Sequence, residues 1–176
     1  MVVRDRDGKA IFESGALNPD GSIAGNANDA DPHRFEPHFR RIDRSDEVQI
    51  YESILGNAVQ QVTTGLLDAV RYLKDDRLLP AGFKKESADH DIAVIGDAAD
   101  DPDFTDAGDR VLYSVALGNA QGPFRVEVEL WYQPIGFRWA HNLASYDAVE
   151  PKRFVQYYDS LAGSSATVLA HAETSR

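Results

Sequence analysis

Across residues 109–139 the chain alternates apolar and polar positions with a period of two, in two runs. Val111, Tyr113, Val115 and Leu117 alternate with Leu112, Ser114 and Ala116; Phe124, Val126, Val128, Leu130 and Tyr132 alternate with Arg125, Glu127, Glu129, Trp131 and Gln133. Such alternation places each set on one face of a sheet. The intervening GNAQGP, residues 118–123, has the glycines and proline that a chain reversal uses. The pattern predicts a hairpin, and the charges along its second strand predict an antiparallel sheet with one wet face.

The rest of the chain gives shorter signals. Residues 2–13, VVRDRDGKAIFE, predict a hairpin turning at Asp7-Gly8. Residues 13–41 are rich in glycine and proline and lack periodicity, so they predict a long loop, functional or pinned by something. Residues 47–55, EVQIYESIL, predict a strand ending at Gly56-Asn57. Residues 61–79 mix two signals. Val62, Leu66, Val70 and Leu73 fall near helical spacing, but Gly65 and the β-branched start favour extended structure, which is the expectation here. Residues 91–96, DIAVIG, predict a short strand and residues 136–147 a connection. Residues 151–161, PKRFVQYYDSL, predict one short helix with Phe154, Tyr157, Tyr158 and Leu161 on one stripe, broken by Gly163-Ser164-Ser165. A last strand is expected over 166–172, with a frayed end. Many short strands and one helix predict a mainly β fold, an antiparallel β-sandwich of immunoglobulin-like or related type. An α+β domain is the alternative if residues 62–76 are helical.

Length and composition narrow the function. At 176 residues, 43% of them hydrophobic, the chain suits a single domain spanning 1–176. A net charge of -11 argues against nucleic acid and anionic membrane surfaces as partners. No apolar run approaches the about 20 residues of a membrane-spanning helix. The absence of cysteine excludes disulfides, thiolate zinc sites and covalent haem attachment within the chain. Met1 is the only methionine, and Val2-Val3 already read like mid-strand residues. Both suggest a start placed on an excised fragment of a longer chain; a naturally methionine-poor protein is the alternative.

Candidate chemistry is scattered. His33 and His38, near Asp31 and Glu36, could converge on zinc or iron, with surface or packing histidines as the plain alternative. Asn18, Asp20, Asp29 and Asp31 offer oxygen ligands around a sharp glycine turn, the chemistry calcium prefers, without the flanking helices or closing glutamate of an EF-hand. Asp101 and Asp103 belong to a second oxygen-rich loop, in which six aspartates fall between Asp97 and Asp109. Calcium is thus the candidate ion, against solvated acidic loops. Trp131 shares the polar face with Glu127 and Glu129 and needs a cover: a loop, a partner or, with Trp139 and nearby tyrosines, a sugar. No nucleophile elbow, zincin helix, phosphate loop or dinucleotide fingerprint is present. A glycosidase-like Glu127/Glu129 pair reads more simply as a solvated face. No catalytic constellation assembles in this stretch of chain; a stand-alone enzyme of unknown type is a further alternative.

Several phrases taken together carry a resemblance: KAIFESGALNPDGSI, DADPHRFEPHFRRI, EVQIYESIL, VTTGLLDAVRYLKDDRLLPAGF, IAVIGDAADDPDF, GDRVLYSV and VEVELWYQPIGFRWAHNL. Over roughly residues 3–160 the chain resembles the C-terminal region of bacterial multihaem c-type cytochrome-family proteins, whose haem-binding CXXCH segments lie upstream. The resemblance implies a non-catalytic C-terminal module of an exported, periplasmic electron-transfer protein. It would pack on the upstream haem domain or hold a protein partner, and its acidic surface would suit a basic one. CXXCH is absent here, so haem is expected only upstream. His33, His38 and His141 are the candidates to reach a neighbouring haem as axial ligands. A calcium- or carbohydrate-binding module is the alternative.

Overall fold

Asp7-Gly8 closes the first hairpin: the Gly8 amide donates to the Asp5 carbonyl at 3.0 Å, with Gly8 at φ +79°. Its arms are β1 (Val2–Arg4) and β2 (Ala10–Glu13), paired antiparallel as expected. The structure is a computed structural model that describes every residue except Ala27 and Pro32 and the side chain of Ala30. The chain is β-rich, with mainly antiparallel sheets and, among the described residues, two α-helices. It separates into two compact units. Unit 1 comprises Met1–Ala30, Asp43–Glu47 and Val115–Arg176; unit 2 comprises Asp31–Ile42 and Val48–Ser114.

Unit 1 contains a four-stranded sheet in the order β2-β1-β8-β9, where β8 is Arg125–Tyr132 and β9 is Thr167–Ser175. Both neighbours of β8 run antiparallel to it, Val3 opposite Val126 and Ala172 opposite Val128. The strand end expected to fray is ordered into β9. Helix α1 (Phe137–Leu143) occupies the span expected to be a plain connection; seven residues are too few to establish a helical period. Helix α2 runs Val149–Ser165, passing through the glycine-serine segment expected to stop it. Gly163 serves packing instead: a Cβ there would come 2.8 Å from the Pro19 carbonyl oxygen. The shielded stripe of α2 is Pro151, Val155, Tyr158, Ala162 and Ser165, while Tyr157 and Leu161 stay exposed. Val3, Phe12, Ala140 and Ala162 form the buried apolar set of this unit.

Unit 2 holds a three-stranded antiparallel sheet, β5-β4-β6, from β4 (Ser53–Gly56), β5 (Val62–Thr63) and β6 (Arg71–Asp75). Residues 61–79 thus carry two strands around a turn at 66–68 and no helix, in keeping with the extended expectation. The strand expected over 47–55 is confined to its end. A short parallel pair joins β3 (Arg41–Ile42) to β7 (Leu112–Tyr113). Residues 91–96 are not a strand: a 3-10 turn covers His90–Ile92, and only Ile95 bridges, to Asp75. Val94, Ala98 and Phe104 form the apolar cluster, with Tyr51, Leu79 and Phe83 against it.

The hairpin expected from residues 111–132 does not form. β7 pairs with β3 in unit 2, and β8 lies between β1 and β9 in unit 1. Alternation identifies a strand's faces and is silent about its edges; both edges of β8 are filled by strands distant in sequence.

Candidate functional site

The last residues of β6 and the turn-rich segment after it place charged side chains inside unit 2. Lys74 and Asp75 end β6 and Asp76 follows; Asp101 closes the 3-10 turn Asp97–Asp100. Into this space the 34–39 segment inserts His38, whose side chain has no exposed surface. His38 Nδ1 lies 3.1 Å from Asp76 Oδ2, and Nε2 lies 3.3 Å from Asp101 Oδ2 and 3.8 Å from Asp109 Oδ2. The Asp76 side chain is likewise unexposed, and those of Asp101 and Asp109 are 2% exposed.

Each carboxylate is held by further donors. Asp76 Oδ1 accepts the Glu52 amide at 2.9 Å, and Lys74 Nζ stands 3.4 Å from its Oδ2. Lys74 is itself buried and donates to the Ile50 carbonyl at 2.7 Å. Asp101 Oδ1 accepts the Asp103 amide, and the Arg40 Nε lies 3.4 Å from Oδ2. Asp109 Oδ2 accepts the Tyr51 hydroxyl at 2.7 Å. Burial, that hydrogen bond and the Asp109 charge all push the Tyr51 phenol far above its ordinary pKa, so it stays a donor. Phe104 presents its edge to His38 at 5.1 Å and stacks on Tyr51 at 6.3 Å, so the polar groups have an apolar wall.

His38 has two tautomers within reach. The Gln49 carbonyl oxygen accepts the Phe39 amide at 2.7 Å, which turns the Gln49 NH2 toward His38 Nδ1 at 2.9 Å. Nδ1 can therefore accept from Gln49, with Nε2–H given to Asp101, or donate to Asp76, leaving Nε2 as a lone pair toward two carboxylates. Burial alone would lower the imidazole pKa. The Asp76 hydrogen bond and the charges of Asp109 and Asp76, with the Asp101 hydrogen bond, outweigh it and raise the value.

Among the described residues, His38, Asp101 and Asp109 are the one group of three or more histidine and carboxylate ligands whose donor atoms lie within 4.8 Å of one another. The sequence-derived candidates are distributed as follows. His38 and Asp101, assigned by sequence to separate loops, meet here. Asp103 lies beside them in sequence, half-exposed, with Arg110 at 3.8 Å. His33 is exposed in a turn in which its amide donates to Asp31. In unit 1, Asn18 and Asp20 close on their own turn through Ser22, whose hydroxyl and amide hold the Asp20 carboxyl below its ordinary range. Asp29 lies 3.5 Å from Arg138. His141 stacks on Phe137 at the exposed face of α1, and Trp139 is half-buried in the same helix. Trp131 is 43% exposed and donates its indole N–H to Glu129 at 3.0 Å. Asp76, Gln49 and Lys74 were not legible as site residues, because nothing local distinguishes them from a sheet's polar positions.

Compared with protein-family models, with curated proteins and with solved structures, the chain matches none. Among the described residues no helix is long and apolar enough to cross a membrane.

Proposed function

We propose that the chain is a non-catalytic module of an exported multihaem cytochrome-like electron-transfer protein, packing on its haem domain or on a protein partner. The sequence resemblance supplies the parent protein. The observation supporting a non-catalytic role is enclosure: His38 and Asp76 expose no side-chain surface and bond inward. An acid–base pair must reach a substrate proton, whereas these groups satisfy one another. The net charge of -11 suits a basic partner surface.

A haem would be held covalently upstream, since this chain has no cysteine. Within the module, His33 and His141 are exposed and can be presented to a neighbouring group. His38 does not fit an axial role, with both ring nitrogens facing aspartates of its own unit. The deciding experiment is to read the gene upstream and record the haem spectrum of the full-length protein. In-frame CXXCH segments are expected; their absence sinks the proposal. A spectrum unchanged by His33→Ala with His141→Ala removes the ligand role alone.

A second reading, carbohydrate binding, draws on Trp131, 43% exposed on the charged face of β8. Glycan-dependent fluorescence changes lost in Trp131→Ala would favour it.

A further inference from the structure

We propose that His38 Nε2, one oxygen of Asp101 and one oxygen of Asp109 bind a single divalent transition cation of the zinc class, with Asp76 fixing the histidine from behind. This goes beyond the module reading and does not depend on it.

The spacing is the first argument. Ligand atoms about 2.1 Å from a tetrahedral ion stand about 3.4 Å apart. The two separations from Nε2 are 3.3 and 3.8 Å, and the three donor atoms lie mutually within 4.8 Å. Only small side-chain adjustments are needed to close the set.

The second argument is the outer arrangement. A metal-bound histidine usually gives its other N–H to a carboxylate, which fixes the tautomer and orients the ring. Asp76 Oδ2 stands 3.1 Å from Nδ1 for that purpose, and Lys74 at 3.4 Å meets its charge. With Nδ1–H on Asp76, Nε2 presents a lone pair to two carboxylate oxygens inside the protein. In the metal-free protein the imidazole proton, the Tyr51 hydroxyl and Arg40 stand against these acceptors, and a dication would take the place of that proton. The amides of Asp103 and Arg110 orient the two carboxylates through their Oδ1 atoms, and Tyr51 donates to Asp109 Oδ2, whose second lone pair is left for the ion.

The donor set decides the class of ion. Calcium takes six to eight oxygens in a roomy shell, whereas one imidazole nitrogen with two carboxylates suits zinc, cobalt or ferrous iron. Arg40, whose side chain is 54% exposed, stands 3.4 Å from the Asp101 carboxylate and can move outward when a dication enters.

The test uses the full chain, stripped with chelator and labelled with 15N-histidine. Titration with zinc is expected to saturate at one equivalent. It should shift the His38 ring nitrogens to the Nδ1–H, Nε2-metallated pattern and leave the other four histidines unmoved. Cobalt should give visible d–d bands at the same stoichiometry, and calcium should do neither. Asp101→Asn with Asp109→Asn should abolish saturable uptake, and Asp76→Asn should weaken it about 10- to 100-fold. Folded wild-type protein whose His38 nitrogens do not respond to zinc or cobalt overturns the assignment. So does uptake that survives unchanged in the folded double variant. Should that variant not fold, the wild-type nitrogen shifts decide alone.

Discussion

His38 and Asp76, 38 positions apart, meet at 3.1 Å with neither side chain exposed. Their pairing makes the metal-free protein sensitive to pH. Burial opposes the imidazolium, but the Asp76 bond and the neighbouring carboxylates win, so the folded pKa lies above the ordinary 6.5. This stabilisation is fully present below about 6.5 and is lost as pH rises through the folded value. With chelator present, the melting temperature should fall as pH rises above about 6.5. The Met1 amine, depressed from 8.0 by its own burial, works the other way. The diagnostic is therefore the difference between wild type and His38→Gln. A difference that stays constant with pH would remove the explanation.

Gly21 adopts φ +85°, and a Cβ there would meet the Tyr158 hydroxyl at 2.3 Å. Gly21→Ala should cost about 2 kcal/mol or more, from the left-handed backbone and the clash together. The Tyr158 hydroxyl is buried and has no hydrogen-bond partner among the described residues. Tyr158→Phe should therefore be neutral or slightly stabilising. It should also recover part of the Gly21→Ala loss in the double variant, while additivity in a denaturation cycle would contradict the contact.

The long loop of unit 1 is pinned by Arg138, which is 4% exposed. Its Nη2 donates to the Asn28 carbonyl at 2.9 Å and lies 3.5 Å from Asp29. Arg138→Met should cost about 3 kcal/mol by leaving these groups buried without their cation. Limited proteolysis should then cut the 14–30 segment sooner than in the parent chain. Unchanged cleavage would mean that Arg138 does not hold the loop.

Glu36 is 2% exposed, and neither carboxylate oxygen has a hydrogen-bond partner among the described residues. Burying an unpartnered charge is unfavourable. Glu36→Gln should accordingly hold the stability or raise it by about 1 kcal/mol, as urea midpoints would register. A clear loss would reveal a bonding partner for the carboxylate.

How much of this was legible from sequence depended on the range of the interaction. The first hairpin was, because Asp7-Gly8 and its flanking strands are neighbours. The faces of β8 were in part: the Trp131 indole bonds to Glu129, two residues away on the side the alternation assigned, yet Val128 and Tyr132 on the expected apolar face are exposed. Its partners were not, since β1 and β9 lie at the two extremes of the sequence. The site divides in the same way. His38 and Asp101 each stood out by residue type, yet local spacing grouped them with His33 and Asp103. Their actual convergence spans 63 positions and depends on β6 delivering Asp76 behind the ring.

The interleaving of the two units has a consequence for synthesis. Every segment of unit 2 precedes residue 115, whereas the sheet of unit 1 needs β1 from the start, β8 and finally β9. As the chain emerges, unit 2 can assemble its buried charges while β1 and β2 still lack their inner neighbour. A nascent chain arrested after residue 114 should hence protect the His38 region from amide exchange and leave Val2–Arg4 exchanging freely.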